Sequence, residues 1–411
     1  MPSLVKPFAA LRPKAERAAD VIAPPYDVVS TDEARALVRD RPSSFLHISR
    51  PEIDLPPSVS PYADEIYARG AANLKRLRDS GVLVREAAPA FYVYRMSKGG
   101  LEQTGIACVG SVAAYDANRI RRHELTRPDK ENDRVRNIAT LNAQTGPVLC
   151  AYRANETLRA LVRDCANGTP TLQAIGPNDV LHAVWCVSDA RRVERLSTTL
   201  NALDALYIAD GHHRAAAASR VARERRARDG VDGSSQSFLL VAFPHDEMRI
   251  LDYNRLVRDT RGLSTDELIA RIRESFDVET STAPVAPTEP ETFGLFVADR
   301  WYRLRVRPAL VPRNDPVASL DVSLLQDRLL APLLGIGDPR TDGRIDFVGG
   351  IRGLGELERR VRSGAAALAF SLHATRMEQL MAVADAEKLM PPKSTWFEPK
   401  LADGLLTHVL D

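Results

Sequence analysis

Short apolar runs and helix-like repeats alternate along the chain, which predicts a mixed set of strands and helices. Apolar residues at helical spacing over 62–77, and the capping pair Ser30-Thr31 before 32–38, predict two helices near the amino terminus. Continuous apolar runs bounded by turn residues predict buried strands. These runs are 91–95, 105–110, 148–152, 183–187, 205–209, 238–243 and 365–372. The alternation predicts an α/β or α+β fold.

Length and local composition predict several regions. The chain has 411 residues, and single cores stop growing at roughly 250–300 residues, so we expect two or three subdomains. The predicted regions are an N-terminal α/β region at 1–115, a central core at 116–279 and a C-terminal α/β region at 293–411. Between the last two lies a Pro- and Thr-rich stretch, 280–292, which is typical of a linker or a surface connection.

The charge balance favours small ligands over polyanions. The chain carries 56 Lys plus Arg and 54 Asp plus Glu, a formal net charge of +2. Such a balance gives no overall field that would steer the protein onto nucleic acid or an acidic membrane. No apolar run approaches the roughly 18 residues of a membrane span, and the amino terminus lacks the unbroken apolar segment of a signal peptide. We therefore expect a cytoplasmic protein.

The cysteines predict core thiols rather than a metal site or disulfides. The four residues are Cys108, Cys150, Cys165 and Cys186, and none forms a Cys-x-x-Cys pair. Such isolated cysteines in apolar or mixed surroundings are typical of a reducing compartment.

The most informative segment is Asp210-Gly-His-His-Arg214, which follows an apolar strand and precedes an alanine-rich helix. A helix N-terminus offers unpaired N–H groups and a partial positive charge, so it favours phosphate. Gly211 would let a phosphate approach closely, while His212, His213 and Arg214 could donate hydrogen bonds. Asp210 could hold a metal ion or accept a proton. The alternative is that Asp210 only caps the helix and the histidines are solvated.

A second polar segment, 120–134, starts at the end of a predicted strand. It contains His123 and Glu124, and Glu124 could serve as a general base or a metal ligand. Its cations, Arg127, Lys130 and Arg134, could neutralise phosphate charge. The alternative is a solvated charged segment. Pro128 stops any continuous helix here, which weakens that alternative.

Two further segments have both a structural and a ligand-binding interpretation. The segment 390–400 contains three prolines, so it predicts an ordered loop or lid. Lys393, Ser394 and Thr395 could contact an anion there, and Lys393 or Lys400 could close over bound phosphates. Trp396 and Phe397 favour anchoring of the segment in a core. The glycine-rich segment 349–355 matches neither common phosphate-loop pattern, so tight turning and ligand binding stay open.

Missing motifs narrow the function further. The sequence has no His-Glu-x-x-His, no Gly-x-Ser-x-Gly, no protein-kinase motif set and no EF-hand loop. Familiar metalloproteases, esterases and P-loop enzymes are therefore disfavoured.

Several motifs together resemble one family, the domain of unknown function family 1015. They are Pro24-Pro-Tyr-Asp-Val-Val29, Ser44-Phe-Leu-His47, Arg50-Pro-Glu-Ile-Asp54, His123-Glu124, Asp210-Gly-His-His-Arg214, Leu251-Asp-Tyr-Asn-Arg255 and Met390-Pro-Pro-Lys-Ser-Thr-Trp-Phe-Glu-Pro-Lys400. The resemblance runs from about Lys6 to His408.

The His-Glu and Asp-Gly-His-His-Arg motifs also resemble the wider ParB and sulfiredoxin-like superfamily, which includes CTP-binding partition proteins and free-serine kinases. This resemblance implies a ParB-like nucleotide-binding core with extra N- and C-terminal regions, and ATP, ADP or another phosphoanhydride with Mg²⁺. It implies that Glu124 is the base and that Asp210 positions Mg²⁺. It also makes Asp210, His212, His213 and Arg214 the metal and phosphate candidates. Together with the segments described above, the predicted phosphate-binding residues are His123, Arg127, Lys130, Arg134, Gly211, His212, His213, Arg214, Lys393 and Lys400.

The sequence leaves three functions open. The first is a small-molecule kinase that phosphorylates a metabolite hydroxyl, with free L-serine as the preferred acceptor. The second is a nucleotide-binding regulatory module without phosphoryl transfer, and the third is a hydrolase or phosphatase using His212 or His213 with a metal. A DNA clamp is disfavoured because no helix-turn-helix or basic segment is evident. The extra regions leave acceptor binding, a homodimer contact and a lid as alternatives.

Overall fold

A computed structural model describes residues 3–230 and 232–411, which form two compact units. The first unit runs as far as Met248 and also includes Pro399–Asp411. The second unit is Arg249–Glu398. The first unit is therefore discontinuous in sequence.

A large mixed sheet forms the first unit. Its strands and the short pairs beside them are β1 (Val5–Lys6), β2 (Leu11–Pro13), β3 (Leu83–Arg85), β4 (Phe91–Lys98), β5 (Leu101–Ser111), β6 (Ile120–Arg121), β7 (Ala143–Gln144), β8 (Val148–Tyr152), β9 (Leu172–Ile175), β10 (Leu181–Val187), β11 (Leu206–Asp210) and β12 (Ser237–Pro244). The large sheet has the order β6-β11-β8-β12-β5-β4-β10-β9, with β1 also paired to β5. Strands β2 and β3 pair separately.

The centre of this sheet is β12, which pairs parallel with β8 and antiparallel with β5. Leu240 lies opposite Val148 on one side and Cys108 on the other. All three side chains belong to one buried apolar cluster. Strand β11 pairs antiparallel with β8, and its register shifts between Ile208 and Asp210. The irregular end of β11 therefore leads into the polar segment 210–214.

Helices cover the strands of the first unit. They are α1 (Ala18–Val21), α2 (Thr31–Val38), α3 (Leu46–Ser49), α4 (Asp64–Asp79), α5 (Val112–Asp116), α6 (Pro128–Leu141), α7 (Glu156–Cys165), α8 (Ala190–Asn201) and α9 (His212–Asp229). Helix α2 begins with a capping box between Ser30 and Glu33. In α4 the buried residues Ile66, Leu74 and Leu77 recur at helical spacing, which places one apolar face on the core.

The second unit is another α/β arrangement. Its strands are β13 (Ile250–Leu251), β14 (Tyr253–Val257), β15 (Phe276–Ser281), β16 (Thr292–Val297), β17 (Arg300–Val306), β18 (Ile345–Gly349), β19 (Leu368–Leu372) and β20 (Trp396–Phe397). Its helices are α10 (Thr265–Ile272), α11 (Asp321–Leu325), α12 (Leu354–Arg362) and α13 (Met377–Asp385). The main sheet has the order β15-β17-β16-β19-β14-β18, and β13 pairs with β20.

The C-terminal segment Pro399–Asp411 belongs to the first unit. Its strand β21 (His408–Val409) pairs with β7. Isolated bridges also join Thr407 to Leu11 and Asp403 to Ala23. These pairings fix the last residues of the chain against its first residues.

The predicted mixed α/β class is confirmed, whereas the two units differ from the regions predicted from the sequence. Strands β4 and β5, in the predicted N-terminal region, pair with β10 and β12 of the predicted core. The stretch 280–292 connects β15 to β16 within one sheet, so it is a surface connection. Pairing between strands far apart in sequence sets these bounds, and local composition does not reveal such pairing.

The cysteines are free thiols, as the sequence predicts. Cys108, Cys150 and Cys165 are buried, and Cys186 is partly buried. Within the described ranges, no helix is both long enough and apolar enough to span a membrane.

Candidate functional site

The segment 210–214 forms the junction between β11 and α9. Gly211 is the N-cap residue, with φ of 100° and ψ of 27° in the left-handed region. The backbone N–H groups of Arg214 and Ala215 donate to the Gly211 carbonyl at 2.9 and 3.1 Å, so α9 begins directly after this glycine. A Cβ atom at position 211 would lie 2.7 Å from Nε of Arg214. Glycine therefore gives both the backbone conformation and the room for the guanidinium group.

Asp210 pairs with two cations instead of capping the helix. Lys400 Nζ donates to Asp210 Oδ2 at 3.0 Å, and Arg214 Nη2 lies 3.9 Å from Oδ1. Burial alone would raise the pKa of Asp210, but Lys400 and Arg214 hold it below its ordinary value. The carboxyl group is thus ionised at neutral pH.

The same pairing bears on the predicted Mg²⁺ role of Asp210. Among the described residues there is no group of three or more His, Cys, Asp or Glu side chains that could hold a metal ion. Mg²⁺ in proteins is usually held by one or two carboxylates together with substrate phosphates. The two cations beside Asp210 oppose a third positive charge. The described side chains therefore do not form a Mg²⁺ site on their own, and Asp210 as a ligand of Mg²⁺ that is also bound to substrate phosphates stays a prediction.

His123 and His212 form a buried pair next to this junction. Their rings meet edge to face with centroids 4.5 Å apart. The backbone N–H of His123 donates to His212 Nε2 at 3.4 Å, so the proton of the neutral His212 ring lies on Nδ1. Burial lowers the pKa of His123 to about 4 and also lowers that of His212. Both rings are neutral at pH 7, so they can offer hydrogen bonds but no charge.

Glu124 lies beside this pair. Its Oε2 atom is 3.7 Å from His212 Nδ1, the ring nitrogen that carries the proton. Glu124 is therefore next to the first turn of α9, within the same region as Gly211 and Asp210.

A second contact joins the segment before α6 to α9. The backbone N–H of Arg127 donates to His213 Nε2 at 3.0 Å. Burial lowers the pKa of His213, so this ring is also neutral at pH 7. Glu131 of α6 then accepts hydrogen bonds from Thr126 at 2.7 Å and from Arg220 at 3.0 Å. Together these contacts hold the segment that carries Glu124 against α9.

The predicted cations Arg127, Lys130 and Arg134, at the start of α6 and within it, lie in different surroundings. Arg127 and Lys130 are exposed, and Arg127 pairs with Asp129 at 3.0 Å. Arg134 pairs with Asp133 at 2.6 Å and stacks on the Tyr26 ring, with 4.0 Å between guanidinium carbon and ring centroid. Arg134 lines the larger of the two cavities described next.

Two cavities meet at Arg214. The larger one, about 400 Å³ including space open to solvent, has Tyr26, Arg134, Thr145 and Arg214 among its polar lining residues. The smaller one, about 250 Å³ on the same basis, is lined by Asp210, Arg214, Lys400 and Asp403 together with Pro25, Pro147, Leu149 and Leu401. Arg214 therefore contributes to the walls of both cavities. Burial alone would lower its pKa, but Asp27 and Asp210 raise it, so Arg214 stays charged.

The sequence reasoning did not select Tyr26, Asp27 and Asp403 as site residues. Tyr26 and Asp27 belong to the Pro-Pro-Tyr-Asp motif, which contributed only to the family resemblance. Asp403 precedes Gly404 in the last of the chain's five Asp-Gly pairs. Both motifs can be seen in the sequence, but their contact with residues 210–214 depends on how segments far apart in sequence fold together.

Lys393 belongs to the second unit, whereas the residues described above belong to the first. Its ammonium group lies 5.6 Å from the centroid of the Tyr253 ring. Trp396 packs edge to face on the same ring at 5.5 Å, and Phe397 is buried. The aromatic residues therefore pack in the second unit, while anion binding by Lys393 stays a prediction.

Solved structures with detectable similarity share little sequence with the chain. A free serine kinase in complex with AMP has 12% identity and a TM-score of 0.34, and the match covers 71% of this chain and 86% of that one. A conserved hypothetical protein from Pyrococcus furiosus has 12% identity and a TM-score of 0.34, with 74% and 95% covered. SbnI with a C-terminal truncation, from Staphylococcus aureus, has 11% identity and a TM-score of 0.32, with 74% and 87% covered.

Similarity at this level identifies no ligand for this chain. A comparison with curated proteins gives no match. A family model described as protein of unknown function, DUF1015, matches residues 5–323. This match spans most of the sequence, and the chain therefore belongs to the DUF1015 family.

Proposed function

We propose that the protein is a small-molecule kinase that transfers a phosphoryl group from ATP, ADP or another phosphoanhydride to a metabolite hydroxyl. Free L-serine is the preferred acceptor because the motif resemblance to ParB-like serine kinases implies it. The observation that carries the proposal is the position of Glu124 beside His212, in the first turn of the helix that begins at Gly211.

The N-terminus of α9 supplies the phosphate-binding part of the proposal. Its backbone N–H groups carry a partial positive charge that favours a phosphate, and Gly211 leaves room for the guanidinium group of Arg214 beside them. Arg214 and Lys400 add two full positive charges beside the same junction. Phosphoryl transfer depends mainly on positioning and on neutralising the phosphate oxygens, so this arrangement suits the reaction.

Glu124 is the proposed base. The acceptor hydroxyl oxygen would form a bond to the terminal phosphorus while the bond from that phosphorus to the leaving phosphate breaks. Glu124 would take the hydroxyl proton, and His212, through the proton on Nδ1, would orient the carboxylate. His123 and His213 would support this geometry as neutral rings, since both have lowered pKa values.

Mg²⁺ belongs to the proposal as a companion of the nucleotide. Mg²⁺ bound with the nucleotide would supply charge neutralisation. Arg127, Lys130, Arg134 and Lys393 remain proposed phosphate contacts, and Arg134 lines the larger cavity together with Arg214.

The replacement Glu124→Gln tests the base. It keeps the shape of the side chain and removes its basicity, so we expect kcat to fall by about 10²–10⁴-fold. The Kd for ADP should stay unchanged, because phosphate contacts are assigned to other residues. Steady-state kinetics with ATP or ADP, together with calorimetric ADP binding, measure the two effects.

Glu194→Gln is the matched control, because Glu194 is an exposed residue of α8. It should leave both kcat and Kd at wild-type values. Full turnover by the Glu124 variant would remove Glu124 from the base role. Nucleotide binding without consumption, for every acceptor tested, would instead favour a regulatory module.

A further inference from the structure

The smaller cavity contains a buried carboxyl group that the proposed reaction does not use. Asp403 comes from the C-terminal segment and is 1% exposed. Two backbone hydrogen bonds with Ala23, of 3.0 and 3.1 Å, fix its position. The backbone N–H of Tyr26 also donates to its carboxyl group. Asp403 is therefore held firmly at the wall of the cavity.

One oxygen of this carboxyl group has no partner. Oδ2 of Asp403 is buried without a hydrogen bond from any described residue, and the same holds for Nε of Arg214. Both residues line the cavity, together with Lys400 and Asp210. A buried polar atom without a partner is unfavourable, so a ligand that pairs with it gains affinity. The free atoms are a carboxylate acceptor and a guanidinium donor.

The side chains of Arg214 and Asp403 lie close together, which restricts the kind of ligand that the cavity can bind. A Cβ atom on Gly146 would lie 3.2 Å from Cδ of Arg214 and 3.4 Å from Oδ1 of Asp403, so both side chains pack on the same glycine. A ligand here would meet the cations Arg214 and Lys400 and the acceptor Asp403, which all line this cavity. An oxyanion fits the cations, but an ionised Asp403 repels it unless the oxyanion also donates a hydrogen bond.

We propose that Asp403 is a specificity-determining residue that selects a phosphate retaining a P–OH group. Its Oδ2 accepts the hydrogen bond from that hydroxyl, while Arg214 and Lys400 bind the charged oxygens. Inorganic hydrogen phosphate is the simplest ligand of this chemistry. The inference rests on the proposed phosphate role of Arg214 and Lys400, and it concerns free oxyanions that bind in the cavity when no nucleotide is present.

Hydrogen phosphate and sulfate provide the test, because at pH 8.5 both are tetrahedral dianions and only hydrogen phosphate has a proton to donate. Burial raises the pKa of Asp403 to about 7, so its carboxyl group is mainly ionised at this pH. The groups facing it are Arg214, Asp27, Arg134 and Tyr26. Dissociation constants for both anions come from the thermal stabilisation of the full chain at constant ionic strength.

The wild-type protein should bind phosphate at least about 10-fold more tightly than sulfate. Asp403→Asn should bring the two constants to within about 3-fold, because an amide can donate to either anion. Asp411→Asn is the control, since Asp411 lies on the same segment but pairs with Arg85 at the surface. It should keep the wild-type ratio.

Each other outcome overturns a defined part of the account. Equal wild-type affinities for the two anions would contradict the inference, even if the Asp403→Asn protein failed to fold. An Asp403→Asn protein that folded and kept the phosphate preference would contradict it too. If ADP bound while neither anion did, the inference would fail and the proposed nucleotide site would survive. If neither ADP nor the anions bound, both would fail.

Discussion

Replacing Gly211 by alanine tests whether the start of α9 holds Arg214 for anion binding. The new methyl group would lie 2.7 Å from Nε and 2.8 Å from Nη2 of Arg214, so the guanidinium group must move. The backbone also has φ of 100°, which alanine disfavours. Gly230, at the other end of α9, has φ of 70°, and a Cβ atom there would meet no other atom within 4 Å. Gly230→Ala therefore introduces backbone strain without displacing a side chain.

The two variants should separate stability from binding. A left-handed alanine costs roughly 1–2 kcal/mol, so both variants should lose about that much unfolding free energy. Displacing Arg214 removes a charge-assisted contact of about 1.5–3 kcal/mol, which corresponds to a roughly 10–150-fold weaker Kd for ADP. Only Gly211→Ala should show this loss of affinity.

Urea unfolding and calorimetric titration with ADP measure the two quantities on the same preparations. Equal ADP affinity in both variants would refute the reasoning, because the guanidinium position would then not matter for binding. Equal loss of affinity in both would also refute it, since the effect would follow helix strain alone.

Two predictions concern buried charge. Lys400→Met removes the 3.0 Å partner of Asp210, and should cost about 1.5–3 kcal/mol at pH 7. Because Lys400 depresses the pKa of Asp210, this loss of unfolding free energy should become smaller as acid protonates Asp210. Urea unfolding at pH 7 and pH 3 measures it, and an equal loss at both pH values would contradict the pairing. In the second unit, burial raises the pKa of Asp321 to about 7, so its contribution to stability is lost as pH rises through 7. The unfolding free energy of the wild type should fall between pH 5.5 and pH 8.5, and in Asp321→Asn this fall should be smaller by about 2 kcal/mol. An equal fall in both proteins would be evidence against a buried titrating carboxyl group.

Local features of the fold could be predicted from the sequence. The run 148–152 predicts β8 with the observed bounds, and Ser30 begins α2 with the expected cap. These features depend on residues that are close together in sequence. The spacing of apolar positions determines the strand, and the capping side chain determines where the helix begins. The strand-to-helix junction at 210–214 follows from the same local signals.

Other features depend on contacts between distant segments. The sequence offered Asp210 as the helix cap, whereas Gly211 takes that position and Asp210 pairs with Lys400, 190 residues away. Asp403 meets Ala23 and Arg214 only because the C-terminal segment returns to the first unit. Neither arrangement leaves a periodic pattern, so composition and spacing did not reveal them.

The most direct test of the proposed kinase is whether nucleotide is consumed only when a hydroxyl acceptor is present. Phosphorus NMR of the purified chain with Mg²⁺ would follow ATP, ADP, CTP and pyrophosphate against a panel of hydroxyl metabolites that includes free L-serine. We expect a new phosphomonoester signal with at least one donor and acceptor pair, and its loss in the Glu124→Gln protein. Nucleotide that binds but stays intact with every acceptor would contradict the kinase and favour the regulatory module.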